Sequence, residues 1–162
     1  LSDNQISDVT PLKDLTQLTK LRLYDNRISD VGALAGLSQL TSLDLEENKI
    51  TDVAPLAELT KLEWLCLGED RELKLHKDNR HSNQITNLQP LTGLENLRGL
   101  TLYRNLDLSQ SEVDMLAAAL PQCSIGYRSL SEQREEDDEW WEEITKWASY
   151  EGPGSGPGSG RD

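Results

Sequence analysis

The sequence predicts an α/β solenoid, a stack of structural repeats that runs along one axis. The first observation is that asparagines recur at a fixed interval. Asn26 follows Asn4 by 22 residues, Asn48 follows Asn26 by 22, and Asn105 follows Asn83 by 22. The second is that leucine pairs, written L-x-L, precede these asparagines, and the third is that apolar residues follow them at every third position. Self-similarity with a period of about 20 to 29 residues is typical of one class of solenoid.

The repeats share the pattern L-x-x-L-x-L-x-x-N-x-I, whose L-x-L pair is expected to form a short strand. Strand side chains alternate between the two faces of a sheet, so both leucines point into the core and the residue between them faces outward. The pattern is the signature of a leucine-rich repeat horseshoe with a parallel, concave β-sheet. It occurs at Leu18, Leu21, Leu23, Asn26 and Ile28; at Leu40, Leu43, Leu45, Asn48 and Ile50; at Leu62, Leu65, Leu67, Asn83 and Ile85; and at Leu97, Leu100, Leu102 and Asn105.

Between the strands, the apolar spacing predicts 3-10 turns on the convex side, because side chains of a 3-10 turn eclipse at i and i+3. Each turn opens with a residue whose side chain can cap backbone N–H groups. Three turns carry a proline three residues later, where a missing N–H costs little. The capping residues are Asp8, Asp30, Asp52 and Asn87, and the prolines are Pro11, Pro55 and Pro90.

The recurring asparagines are expected to turn inward after each strand. Their side-chain amides can then satisfy backbone groups in the turn, since unpaired buried polar groups are costly.

The third repeat carries an insertion at residues 68–82, where GEDRELKLHKDNRHS stands in place of two residues. We expect a loop that protrudes beside the concave face, because insertions in solenoids fall in loops. A degenerate repeat or a short hairpin is the alternative, since Leu73 and Leu75 repeat the L-x-L spacing. His76 and His81 lie five residues apart without a third ligand, which predicts no metal site.

Residues 106–128 depart from the repeat and are expected to form a C-terminal helical cap. Ser109 and Glu112 form a capping box, Pro121 ends the helix, and a last short strand lies around Ile125. The predicted apolar face of the helix consists of Val113, Leu116, Ala117 and Leu120. The repeats themselves are assigned to residues 1–105.

The formal net charge of −13 is concentrated in the tail, since residues 129–162 hold ten acidic and three basic side chains. Such an acidic balance argues against nucleic acid and anionic membrane surfaces as partners. No apolar run reaches the roughly 20 residues of a membrane span. The chain opens on Leu1, the second leucine of a pair, which suggests a truncated N-terminus.

Residues 129–151 are predicted to form an acidic, tryptophan-rich amphipathic helix, and residues 152–162 a flexible Gly/Pro/Ser linker. The apolar stripe of this helix consists of Trp140, Trp141, Ile144 and Trp147. We expect the stripe to dock on the solenoid's C-terminal side or on a neighbouring chain, because exposed tryptophans form an apolar patch. A disordered tail is the alternative, since the acidic run repels itself.

The segments NKITDVAPLAELTKLEWLCL, NRISDVGALAGLSQLTSLDL and NQISDVTPLKDLTQLTKLRL resemble the 22-residue repeats of the bacterial internalin family and, beyond it, the eukaryotic phosphatase-regulatory leucine-rich repeat class. The resemblance covers roughly residues 1–105. It implies protein recognition on the concave face and a secreted or cell-surface location. The two cysteines and the lack of a signal peptide favour the cytoplasm instead, so the location stays open.

The repeat pattern also identifies the side chains that line the concave face. Exposed Trp, Tyr and Arg are enriched where proteins bind one another, so a protein-interaction module is the leading hypothesis. A regulatory or scaffolding subunit of a cytosolic assembly and a structural spacer without a ligand are the alternatives. The predicted partner-binding residues are Lys20, Arg22, Tyr24, Asp44, Glu46, Trp64, Cys66, Thr101 and Tyr103. Gly68 and Gly99 occupy outward positions of the same pattern.

Catalysis has no support in the sequence. No nucleophile lies beside a plausible base, and no glycine-rich phosphate loop follows a strand. The paired carboxylates Asp44 and Glu46 lie on an open surface with nothing to raise a pKa. We therefore expect no enzyme, no cofactor and a protein partner whose identity the residues do not specify.

Overall fold

The computed structural model describes residues 1–68 and 82–127 and contains five short parallel strands there, four formed at the L-x-L pairs and a fifth in the cap. The strands are β1 (Lys20–Arg22), β2 (Ser42–Asp44), β3 (Trp64–Cys66), β4 (Gly99–Thr101) and β5 (Ser124–Gly126). They pair in chain order, so each strand neighbours the strands of the adjoining repeats. In each of the first four, one leucine lies in the strand and the second follows it. All described residues lie in the first of two units of the chain, Leu1–Leu130.

The register of the sheet confirms the predicted alignment of the repeats. Lys20 pairs with Ser42, Ser42 with Trp64, and Trp64 with Gly99. Residues two positions later therefore align as well, and every repeat presents its outward residues in columns that cross the sheet. The inward leucines of these strands are almost fully buried.

Short 3-10 turns connect the strands on the opposite side, as the apolar spacing predicts. They span Thr10–Leu12, Gly32–Leu34, Ala54–Glu58 and Gln89–Gly93. The predicted capping side chains hold these turns: a carboxylate oxygen of Asp52 accepts from the N–H of Ala54 at 2.8 Å, and Asn87 accepts from the N–H of Gln89 at 2.9 Å. In the second repeat, N–H groups of Leu34, Leu37 and Leu40 each donate to the residue three positions earlier. All three of these leucines are fully buried.

The inward orientation of the asparagines is also confirmed, from Asn26 onwards. Asn26, Asn48, Asn83 and Asn105 are at most 2% exposed, and they are the buried polar residues of the described chain. The amide nitrogen of Asn48 donates to three backbone carbonyls, and its oxygen accepts from the N–H of Ile28 in the preceding repeat at 3.0 Å. The asparagines therefore link each repeat to its neighbour.

The cap consists of one helix, α1 (Gln110–Ala119), and the strand β5. Ser109 accepts from the N–H of Glu112 at 3.3 Å, which is half of the predicted capping box. The Glu112 carboxylate is used differently: it accepts from the N–H of Leu88 at 2.8 Å and so ties the cap to the fourth repeat. The prediction that Ala117 packs inward is wrong, because its side chain is exposed. The buried apolar face of the cap is therefore narrower than predicted, and it consists of Val113, Leu116 and Leu120.

Several predictions fall on residues 69–81 and 128–162, outside the described part of the chain. They concern the interior of the insertion with both histidines, the linker at 152–162, and the tail helix with Trp140, Trp141, Ile144 and Trp147. Within the described part, no helix combines the length and the apolar character that a bilayer crossing requires.

Candidate functional site

The concave face of the sheet consists of the outward residues of β1 to β4. It also includes the residues that lie two positions after the last residue of a strand. The register places six of the nine predicted side chains in adjacent columns, and the other three, Tyr24, Glu46 and Tyr103, follow two residues after the ends of β1, β2 and β4. They differ in exposure: Lys20, Arg22 and Trp64 are exposed, and the other six are partly buried. Whether they bind a partner stays a prediction.

Trp64 is the large apolar side chain that this face presents to solvent, with 55% of its surface exposed. Its indole lies over Gly99, the residue paired with it on β4: a Cβ at Gly99 would come 2.4 Å from ring carbons Cε3 and Cζ3. Tyr103 lies over Gly126 of β5 in the same way, with Cε2 2.8 Å from the position of a Cβ. Each ring thus occupies the space that the missing side chain leaves on the next strand.

The sequence alone did not predict that these two glycines make room for the rings of Trp64 and Tyr103. A signal for the first was present, because the aligned column reads Lys20, Ser42, Trp64, Gly99, with an aromatic residue directly followed by glycine. A glycine on a sheet is commonly covered by an aromatic side chain of the neighbouring strand.

An acidic group lies at the middle of the face, on β2. Glu46 reaches across the intervening strand, and its Oε1 accepts from the hydroxyl of Thr101 at 3.3 Å. Burial raises the pKa of Asp44, although a hydrogen bond from the N–H of Glu46 at 3.3 Å and the charge of Arg22 act in the opposite direction. The expectation that nothing raises a carboxyl pKa on this surface is therefore wrong for Asp44. The neighbouring side chains desolvate it even though the sheet is open.

Cys66 lies on β3, between the strand of these carboxylates and β4. Its thiol is free and half-buried. Burial raises its pKa to about 11, and the negative charges of Glu46 and Asp44 act in the same direction. The thiol is therefore protonated at neutral pH and is a poor nucleophile, because reactivity resides in the thiolate.

The β1 edge of the face is basic. Lys20 and Arg22 project from this strand, and Arg22 pairs in register with Asp44 of β2. Tyr24 follows, and a hydrogen bond with the Asp3 carboxylate raises its pKa. From β1 to β4 the face therefore changes from basic to acidic to aromatic.

Gly68 does not belong to this surface, although the repeat pattern assigns it an outward position. It is buried, and a Cβ on it would lie 2.2 Å from the carbonyl oxygen of Tyr103. Its own carbonyl accepts from the hydroxyl of Thr101 at 3.0 Å. The backbone of the third repeat thus approaches β4 closely where the insertion begins, and only glycine has room for that approach.

Among residues 1–68 and 82–127 there is no candidate metal site. No group of three or more His, Cys, Asp or Glu side chains in this part of the chain is close enough to hold a metal ion. The concave face carries an exposed aromatic side chain, charged side chains of both signs and hydroxyl groups. Such groups take part in non-covalent binding.

Comparison with known proteins agrees with the fold. The family model described as leucine-rich repeats in two copies matches residues 1–36 and 16–58. An internalin (inlF) from Listeria monocytogenes has 30% sequence identity and a TM-score of 0.61, and the match covers 78% of this chain and 35% of that one. A second Listeria internalin (inlC2) has 30% identity and a TM-score of 0.50, with 80% and 61% covered.

A leucine-rich repeat protein from Leptospira interrogans has 28% identity and a TM-score of 0.50, with 77% of this chain and 36% of that one covered. The chain therefore spans less than two thirds of the length of each of these proteins. No curated protein matches it by sequence. The 22-residue period, the inward asparagines, the family-model matches and the likeness to internalins show that the chain is an internalin-like leucine-rich repeat protein.

Proposed function

We propose that this chain is a protein-interaction module that binds a partner protein on its concave face. Leucine-rich repeat domains generally bind proteins and are generally not enzymes, and solenoids commonly bind along the concave side. The observation that carries the proposal is Trp64, an aromatic side chain left 55% exposed at the centre of an otherwise polar sheet. An exposed aromatic ring on a face that also carries an exposed arginine, Arg22, has the composition typical of a binding hot spot.

The geometry explains why this ring is suited to recognition. Trp64 rests on Gly99, so its orientation is fixed before a partner arrives and little side-chain entropy is lost on binding. Lys20, Arg22 and Asp44 project from β1 and β2 on the same face, and they can exclude ill-matched partners through like-charge contacts.

Affinity capture tests the proposal directly. The intact protein and the triple variant Trp64→Ala, Arg22→Ala, Tyr103→Ala would be immobilised and exposed to proteins of the source organism and of candidate host cells, with retained proteins quantified by mass spectrometry. The matched control is Lys13→Ala, Arg27→Ala, Glu58→Ala, since these exposed residues lie away from the concave face.

We expect one or more proteins to be retained by the intact protein and the control and lost from the concave-face variant. Equal retention by all three would place binding elsewhere and reject the concave face. A chain that retains nothing under any condition would instead behave as a structural spacer.

A further inference from the structure

The order of charges across the concave face specifies the chemistry of a partner. Lys20 and Arg22 on β1 are exposed, Asp44 on β2 is half-buried, and the ring of Trp64 extends from β3 over β4. The face therefore presents a basic strip, an acidic strip and an aromatic strip in consecutive positions.

Asp44 is partly buried, whereas Lys20 and Arg22 are exposed. Its carboxylate is partly desolvated, and the hydrogen bond that it accepts, from the N–H of Glu46, is long at 3.3 Å. Arg22 stands opposite on β1, yet desolvation outweighs the influence of its charge on Asp44. A partly buried carboxylate of this kind gains from a cationic donor supplied by a partner, because charge-assisted hydrogen bonds are the strong ones.

The spacing of the three strips fits an extended peptide that crosses the strands. Neighbouring strands lie about 4.8 Å apart, so the distance from β1 to β4 is about 14 Å. An extended chain rises about 3.3 Å per residue and turns alternate side chains to the same side, so positions i, i+2 and i+4 span about 13 Å. Three alternate side chains of such a segment can therefore contact the three strips in order.

We propose that the partner presents an extended segment in which one acidic, one basic and one apolar side chain occupy alternate positions. This inference rests on the function proposed above. The acidic side chain contacts Lys20 and Arg22, the basic one contacts Asp44, and the apolar one lies against Trp64. Charge complementarity with the face selects this order, because exchanging the first two side chains would set like charges against each other.

The test uses a displayed library of seven-residue peptides with serine at alternate positions and three random positions between them. The library is selected on the intact protein and on the charge-exchanged variant Lys20→Asp, Arg22→Asp, Asp44→Arg, whose folding is checked by thermal melting. A third selection uses Trp64→Ala. We expect the acidic, basic, apolar order, read in either chain direction, to be enriched at least tenfold on the intact protein.

The charge-exchanged variant should select the basic, acidic, apolar order, and Trp64→Ala should lose the preference for an apolar residue. Should the charge-exchanged variant fail to fold, Asp44→Asn serves instead and should lose only the preference for a basic residue. No enrichment, or the same sequences from the intact protein and the charge variant, would overturn the inference. Should a partner nevertheless be captured in a Trp64-dependent manner, the proposed function stands and only the assigned partner chemistry fails.

Discussion

At the scale of single residues, buried asparagines carry the contacts between repeats. Their amides meet the carbonyls left open after each strand, and their oxygens accept from an N–H of the preceding repeat. Asn4 occupies the same sequence position but is exposed, and its side-chain amide donates to the nearby carbonyls of Leu1 and Ser2. The asparagine of the repeat therefore links two repeats where it is buried, and it makes local hydrogen bonds where it is exposed.

Asn48→Ala should lower the free energy of unfolding by about 1 to 3 kcal/mol, because it leaves buried backbone groups without a partner. Its four hydrogen bonds are to Leu23, Leu45, Glu46 and Ile28. Chemical denaturation of the intact protein and the variant measures the difference. Asn4→Ala is the matched control and should have little effect; equal stability of the intact protein and Asn48→Ala would contradict the assigned role.

The Cys66 thiol should react slowly with iodoacetamide at pH 8, because its pKa is raised to about 11 and little thiolate is present. The rate should increase as pH rises toward that pKa. Glu46→Gln should accelerate the reaction, since removing a negative charge lowers the thiol pKa. Alkylation is followed by mass spectrometry in a Cys123→Ser background. Reaction at the rate of an unhindered thiol would show that Cys66 is neither buried nor beside the carboxylates.

At the scale of structural elements, the strands are short and nearly identical in backbone, so their differences lie in single outward residues. Gly99 and Gly68 show two different reasons why a position in or next to a strand is occupied by glycine. Gly99 leaves room for a ring of the neighbouring strand, whereas Gly68 leaves room for the backbone of the neighbouring strand. A ring can swing away from an added methyl group, but a paired backbone cannot.

Gly68→Ala should therefore destabilise the protein by about 1 to 3 kcal/mol, in the range of overpacked core sites. The added Cβ would meet backbone atoms of Leu102 and Tyr103 at under 2.5 Å. Gly93→Ala is the control, because nothing lies within 4 Å of its added Cβ. Thermal melts compare the two variants, and an unchanged melting temperature for Gly68→Ala would show that β3 does not approach β4 in this way.

The elements most accessible to sequence reasoning were those that repeat. Strand register, capped turns and inward asparagines follow from a period of 22 residues, because each copy meets the same neighbours. The differences arose where the chain leaves the repeat. Gly68 stands at the start of the insertion, and Glu112 takes a contact with Leu88 that no local motif specifies. Asp44 is an exception within the repeat: the burial that raises its pKa depends on packing in three dimensions, which a linear pattern does not reveal.

At the scale of the whole described molecule, stability is passed from repeat to repeat, since each repeat packs mainly against its neighbours. The cap closes one end through α1, through the Glu112 bond to Leu88 and through a 2.6 Å hydrogen bond from the Tyr127 hydroxyl to the carbonyl of Leu108. The concave face crosses all of these repeats, so its geometry depends on the stack as a unit.

Glu112→Ala should loosen the cap without unfolding the first repeats, because it removes the acceptor for the Leu88 N–H. We expect faster amide hydrogen exchange in Gln89–Gly93 and Gln110–Ala119 and unchanged exchange around β1. The exposed Asp114→Ala on the same helix is the control. Uniform acceleration along the whole chain would mean that the stack opens only as a unit.

The central claim is that the ring of Trp64, in the orientation set by Gly99, carries recognition of a partner. The most direct measurement is the affinity of the captured partner, by biolayer interferometry, for Gly99→Ala, Trp64→Ala and Gly93→Ala. Gly99→Ala keeps the indole but displaces it, and it should weaken binding about tenfold or more, approaching the loss in Trp64→Ala. Gly93→Ala should bind as the intact protein does. Unchanged affinity for both Gly99→Ala and Trp64→Ala would contradict the account.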